Sequence, residues 1–254
     1  MNQTEQTDEK EQSFFSHLIE LRSRLLRAVA AVLLILLVLI PFANKLYAWL
    51  SKPLIDHLPI GGAMIATDVA SPFFAPLKLA FFVALFLAMP FILYQFWAFV
   101  SPGLYRHERR LAIPLLASSV LLFYIGCAFA YFLVLPAIFT FMTSVAPAGV
   151  AVMPDISRFL DFVLVLFLAF GFCFEVPVAL VILVAIGITT PEQLTKGRPY
   201  AIVGAFVIAA VLTPPDVISQ LLLAIPMCLL YEVGIFAARF LAKRLPSESD
   251  APSA

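Results

Sequence analysis

The run Phe162–Ile188 is 27 residues long and contains one charged side chain, Glu175. A segment of that length crosses a hydrocarbon core of about 30 Å as a helix, because lipid offers an open backbone no hydrogen-bond partners. The carboxylate falls near the middle, where a charge costs about 2.5–3.5 kcal/mol on insertion scales. Two readings fit such a group. It faces a protein interior or wet cavity as a functional position, or it stays neutral and joins two helices through a contact of about 0.6 kcal/mol.

Further uncharged runs recur at Ala28–Asn44, Leu79–Tyr105, Leu111–Pro154, Pro199–Pro215 and Val217–Tyr231. With 63% hydrophobic and 13% charged residues, the chain is not a soluble globular enzyme. Leu111–Pro154 is too long for one helix and reads as one span plus a loop beginning near Pro136–Phe141. The sum is an all-α integral membrane protein of six spans. It forms one membrane domain over residues 13–240, between a disordered acidic head at 1–12 and a tail at 241–254.

The basic residues orient it. Lys10, Arg22, Arg24, Arg27, Arg106, Arg109, Arg110, Lys196, Arg198, Arg239, Lys243 and Arg244 fall on the face that holds both termini. Only Lys45, Lys52, Lys78 and Arg158 fall on the other. Positive charge concentrates inside, so both ends are expected in the cytoplasm. No small-x-small cleavage site follows Pro41, so the first span is expected to be retained. Cys127, Cys173 and Cys228 all lie in apolar spans and suggest no disulfide framework.

Phe14, Leu18, Leu21 and Leu25 form a helical apolar stripe leading into span one, and Glu20 with Arg24 makes an i,i+4 pair of favourable order. The first outer loop, about Asn44 to Lys78, is long enough for short helices and is punctuated by Pro53 and Pro59 among others. With the second loop, about Phe141 to Asp161, it is expected to cap the outer face. On the inner face Thr190-Pro191-Glu192-Gln193 reads as a capped helix start. The last two uncharged spans, Pro199–Thr213 and Val217–Tyr231, are short, 15 residues each, and Asp216 in their connecting turn is placed to cap the sixth. Prolines 90, 114, 136, 177 and 226 favour bent helices around a hollow, and Pro177 puts freed carbonyls beside Glu175.

Several chemistries are excluded. His17, His57 and His107 lie outside the spans; there is no HExxH zinc motif and no GxxxxGK[ST] nucleotide loop. No enzymatic activity, metal, cofactor or nucleic-acid partner is expected.

Two inner-face carboxylates stand in marked settings: Glu20 in His17-Leu18-Ile19-Glu20-Leu21-Arg22-Ser23-Arg24-Leu25, and Glu108 in Phe99-Val100-Ser101-Pro102-Gly103-Leu104-Tyr105-Arg106-His107-Glu108-Arg109-Arg110. Taken singly, either could be a solvated charge among arginines, a contact contributing about 0–1 kcal/mol. Together with Met64–Phe74, Phe174-Glu175-Val176-Pro177 and Leu212-Thr213-Pro214-Pro215-Asp216, they resemble the TatC family, the receptor subunit of the twin-arginine protein translocase. The resemblance covers roughly Phe15 to Arg239.

The resemblance implies a protein of the bacterial inner membrane that recognises paired-arginine signal peptides at its cytoplasmic face. It also implies assembly with the single-span subunits TatA and TatB, and export of folded cargo on the proton-motive force. Glu20 and Glu108 match the acids expected to hold the two guanidinium groups, which suit carboxylates through charge-assisted bonds. Phe99 and Leu104 would line an adjacent apolar surface, and Arg22, Arg109 and Arg110 would orient the acids. The family pattern puts Glu175 on the inner wall of a glove-shaped bundle, and Thr213 and Gln220 where the single-span partners dock. Self-association and contact with membrane lipid are further implications. From the residues alone, a proton-coupled solute transporter with Glu175 as proton carrier stays open.

Overall fold

The computed structural model describes residues 3–56, 64–100, 112–145, 153–212 and 217–242, and these are helical almost throughout. Helix α1 (Gln3–Leu39) passes through a 3-10 turn at Ile40–Phe42 into α2 (Ala43–Ile55). Then follow α3 (Ser71–Val100), α4 (Ala112–Phe129), a π turn (Ala130–Val134), α5 (Leu135–Val145) and α6 (Ile156–Ala185). The described chain ends with α7 (Pro191–Lys196), α8 (Arg198–Leu212) and α9 (Val217–Ala242). Among the described residues, five segments are long and apolar enough to cross a membrane, beginning at Leu18, Ser71, Ile113, Ile156 and Gln220. Helix α8 adds a shorter apolar helix of 15 residues, consistent with six spans.

Four features differ from the sequence reading. Helix α1 extends back to Gln3, through the acidic head that composition leaves disordered. Its Glu, Gln and Lys residues are good helix formers and propagate a helix already nucleated by the apolar stripe. Pro53 lies inside α2 and does not punctuate a loop there. Proline at this position leaves the Trp49 carbonyl without its N–H partner in the last turn, and three residues later the helix closes through Asp56 N–H to the Lys52 and Leu54 carbonyls.

Pro136 does not end the third span either. The π turn before it widens the helix, Leu135 N–H donates to the Ala130 carbonyl, and α5 continues to Val145. The sixth span is not short as a helix: α9 has 26 residues and runs through Glu232 to Ala242. Glu232 closes the uncharged run, but its carboxylate accepts from Arg198 Nη2 at 2.6 Å, where α8 begins, so the charge is paired and the helix continues.

Glycines and alanines set the closest helix contacts. A Cβ on Gly126 of α4 would lie 2.6 Å from the Phe170 carbonyl oxygen of α6, and one on Gly171 would meet the Phe123 ring at 2.6 Å. Helix α3 turns Ala84 and Ala88 toward Val32 of α1 in a small-residue seam. Otherwise α1 is peripheral, with Leu33, Leu34, Leu37 and Val38 exposed as a lipid-facing helix requires. The largest core cluster joins α2, α3, α5 and α6 with Tyr47, Leu79, Ile138 and Leu160. A smaller one ties α6, α7 and α9 through Leu180, Leu194 and Ile235.

Candidate functional site

At the inner ends of α1 and α3, Arg24 Nε and Nη2 both donate to Glu20 Oε1, at 2.9 and 2.5 Å. Arg24 Nη1 reaches across to Gln95 Oε1 of α3 at 3.4 Å. Gln95 is buried, so the guanidinium is anchored to the bundle while Glu20 keeps 38% of its side chain exposed. Among the described residues Oε2 of Glu20 accepts no hydrogen bond. Phe99 follows Gln95 by one turn and shares its face of α3.

The i,i+4 pair expected from the sequence therefore forms, and Arg24 is the residue bonded to Glu20. Two positions along a helix turn a side chain about 200° away, and Arg22 lines a groove with Ile19, Ser23 and Leu26. Gln95 is the residue that sequence reasoning missed; its signal was a carboxamide inside the otherwise uncharged run Leu79–Tyr105. Glu108, Leu104, Arg109 and Arg110 lie outside the described residues, as do Thr213 and Asp216.

Glu175 is half-buried on α6, and Ser119 of α4, two turns from the Gly126 contact, is buried. Glu175 Oε1 is buried and takes no partner among the described residues. Just beyond, Pro177 carries α9 against α6: a Cβ on Gly234 would lie 3.0 Å from Pro177 Cα. Gln220 Nε2 donates to the Phe206 carbonyl at 3.2 Å and joins α8 to α9.

The outer face is closed by a network that sequence reasoning also missed. Asp155 caps α6, its Oδ1 accepting from the N–H groups of Ser157 and Arg158 at 2.9 and 3.0 Å. Its Oδ2 accepts from Thr67 N–H and Thr67 Oγ1 at 2.9 and 2.7 Å. These bonds, the Thr67 hydroxyl first, hold its carboxyl well below the usual carboxylate range. Ile65 N–H donates to the Pro154 carbonyl and Ile156 N–H to the Ile65 carbonyl, a single parallel bridge between the two loops. Tyr47 Oη donates to the Ile156 carbonyl at 3.0 Å. On the inner face the capping box at Thr190 and Gln193 forms as the sequence implies.

Residues 16–226 match the family described as "Sec-independent protein translocase protein (TatC)". The chain belongs to the TatC family. It is 60% identical over 232 residues to the Sec-independent protein translocase protein TatC of Escherichia coli K12, covering 91% of this chain and 90% of that protein. The corresponding protein of Aquifex aeolicus is 41% identical, with 90% and 95% covered. A crystal structure described as the twin arginine translocase receptor TatC superposes with a TM-score of 0.79 at 40% identity, covering 89% of this chain and 99% of the other.

As a TatC-family chain it is a multi-pass inner-membrane protein and a core subunit of the twin-arginine translocation system. The family is a translocase component that works in a complex with other subunits. The solute-transporter reading of Glu175 is thereby displaced.

Proposed function

We propose that the inner ends of α1 and α3 hold the arginine pair of a signal peptide. The supporting observation is the state of Glu20: among the described residues its carboxylate is held by Arg24 through one oxygen, while the other accepts no hydrogen bond. Arg24 orients this acid without saturating it, because a partly exposed ion pair contributes only about 0–1 kcal/mol. A second guanidinium adds charge-assisted bonds to a group already held in place. Glu108 is the second acid on the strength of the resemblance, Phe99 and Leu104 line the neighbouring apolar surface, and Arg109 and Arg110 orient Glu108.

The small single-span partners TatA and TatB dock on the α8–α9 hairpin. The outer flank of α8 supports this, since Val203, Val207 and Val211 are exposed and offer another helix an apolar face. Gln220 staples the hairpin, and Thr213 supplies the polar contact. Transport of folded cargo draws on the proton-motive force, in keeping with a sequence that has no nucleotide loop.

Binding of a paired-arginine peptide to the full protein in nanodiscs tests the reading. Glu20→Ala and Glu108→Ala are each expected to weaken it by about tenfold to a hundredfold, the range of one charge-assisted bond, while a Lys-Lys peptide binds wild type and variants equally weakly. Unchanged affinity in Glu20→Ala would remove this acid from the site.

A further inference from the structure

Lys78 and Asp161 are the first charges beyond the outer ends of two apolar runs, which begin at Leu79 in α3 and at Phe162 in α6. They find each other: Lys78 Nζ donates to Asp161 Oδ1 at 2.5 Å. Because each marks where its span leaves the hydrocarbon, the pair stands at headgroup level, opposite the basic inner face. It is not sealed, since 49% of the Lys78 side chain and 55% of that of Asp161 are exposed. Among the described residues Lys78 makes this one bond with three available N–H donors, and Asp161 Oδ2 accepts none.

The pair lies in a groove between α1, α3 and α6 whose walls are Leu36, Phe74, Phe81 and Leu160. Phe81 follows Lys78 by one turn toward the membrane centre. Phe74 is exposed at the other end, one turn outward. An apolar trough below a cation and an anion, both with unused hydrogen-bonding capacity, matches an amphiphile of the same layout. Its headgroup would carry a phosphate and an N–H-bearing cation, with acyl chains beneath.

We infer that this groove is a binding site for a zwitterionic phospholipid with a primary-amine headgroup, phosphatidylethanolamine in chemical class. The phosphate accepts from Lys78 and the ammonium donates to Asp161, while one acyl chain lies along Leu36 and Phe81. Phosphatidylcholine offers Asp161 no N–H donor, and phosphatidylglycerol offers it no cation, so the groove discriminates among lipids of the same chain length. This site lies on the opposite side of the membrane from the proposed signal-peptide site and is independent of it.

The test is native mass spectrometry of the full protein released from nanodiscs containing equal amounts of the three lipids. Wild type is expected to retain phosphatidylethanolamine about tenfold over the other two, the value of one charge-assisted hydrogen bond. The double variant Lys78→Leu/Asp161→Leu removes both charges, leaves neither unpaired and keeps the apolar volume. It is expected to lose that preference while keeping the wild-type unfolding midpoint in lipid-free detergent. Equal retention of the three lipids by wild type, or an undiminished preference in the double variant, would overturn the site. So would photocrosslinks from Phe81 to a single-span helix in place of lipid.

Discussion

One carboxylate, Asp155, starts a membrane helix and ties two outer loops together. Its two oxygens divide the work, one on the α6 N-terminus and the other on Thr67, 88 residues away in sequence. Since the folded state holds this carboxyl below its ordinary value, the sign follows directly. The stability it contributes is complete above the unfolded-state carboxylate range, about pH 4, and is lost as pH falls through the lower folded value. Asp155→Asn keeps an oxygen for the helix N-terminus but presents an amide where Thr67 N–H needs an acceptor. The unfolding midpoint of that variant is expected a few degrees below wild type at pH 7, with a shallower decline toward pH 3. Superimposable profiles for the two proteins would show that the tie carries no stability. At this scale the sequence displayed local partners only. Glu20 with Arg24 and Thr190 with Gln193 were legible because their spacing within one helical turn dictates contact. Gln95 and Thr67 were not, because nothing in their own surroundings points to partners 71 and 88 residues distant.

Among the elements, the α4–α6 contact is the least forgiving. Gly126 brings α4 against a backbone carbonyl of α6, and a backbone cannot swing aside as a side chain does. Gly126→Leu is expected to force the two helices apart and lower the amount of protein in the membrane severalfold. Gly204→Leu is the matched control: a Cβ there meets nothing within 4 Å, so membrane levels should equal wild type. Equal levels of both variants, read by immunoblot of washed membranes, would show that the close approach is dispensable. Element existence was legible in the apolar runs, whereas two helix ends were not. Pro136 reads as a stop until the π turn before it is seen, and Glu232 reads as a stop until Arg198 is seen to pair with it. In both cases a local signal for ending a helix is overridden by a geometry or partner supplied elsewhere.

For the whole molecule, the two faces do different work. The outer face is tied by Asp155, Tyr47 and the Ile65 bridge into one cap, which fixes α3 and α6 relative to each other. The inner face leaves Glu20 anchored yet accessible, as a reversible recognition site must be. Orientation and the alternation of spans were legible from charge and hydropathy, because the membrane imposes them on any chain. The inner-face recognition motifs could be named only through a resemblance, since Glu20 alone reads as a solvated helical acid. The central claim, that this end of the molecule reads an arginine pair, is tested most directly by photocrosslinking. A photoreactive residue at Phe99 or Leu104, in membrane vesicles containing the full protein, is presented with a labelled twin-arginine signal peptide or its Lys-Lys version. Crosslinks are expected from both positions with the arginine pair and from neither with the lysine pair. Crosslinks of equal strength with both peptides, or none in vesicles that retain the protein, would contradict that claim.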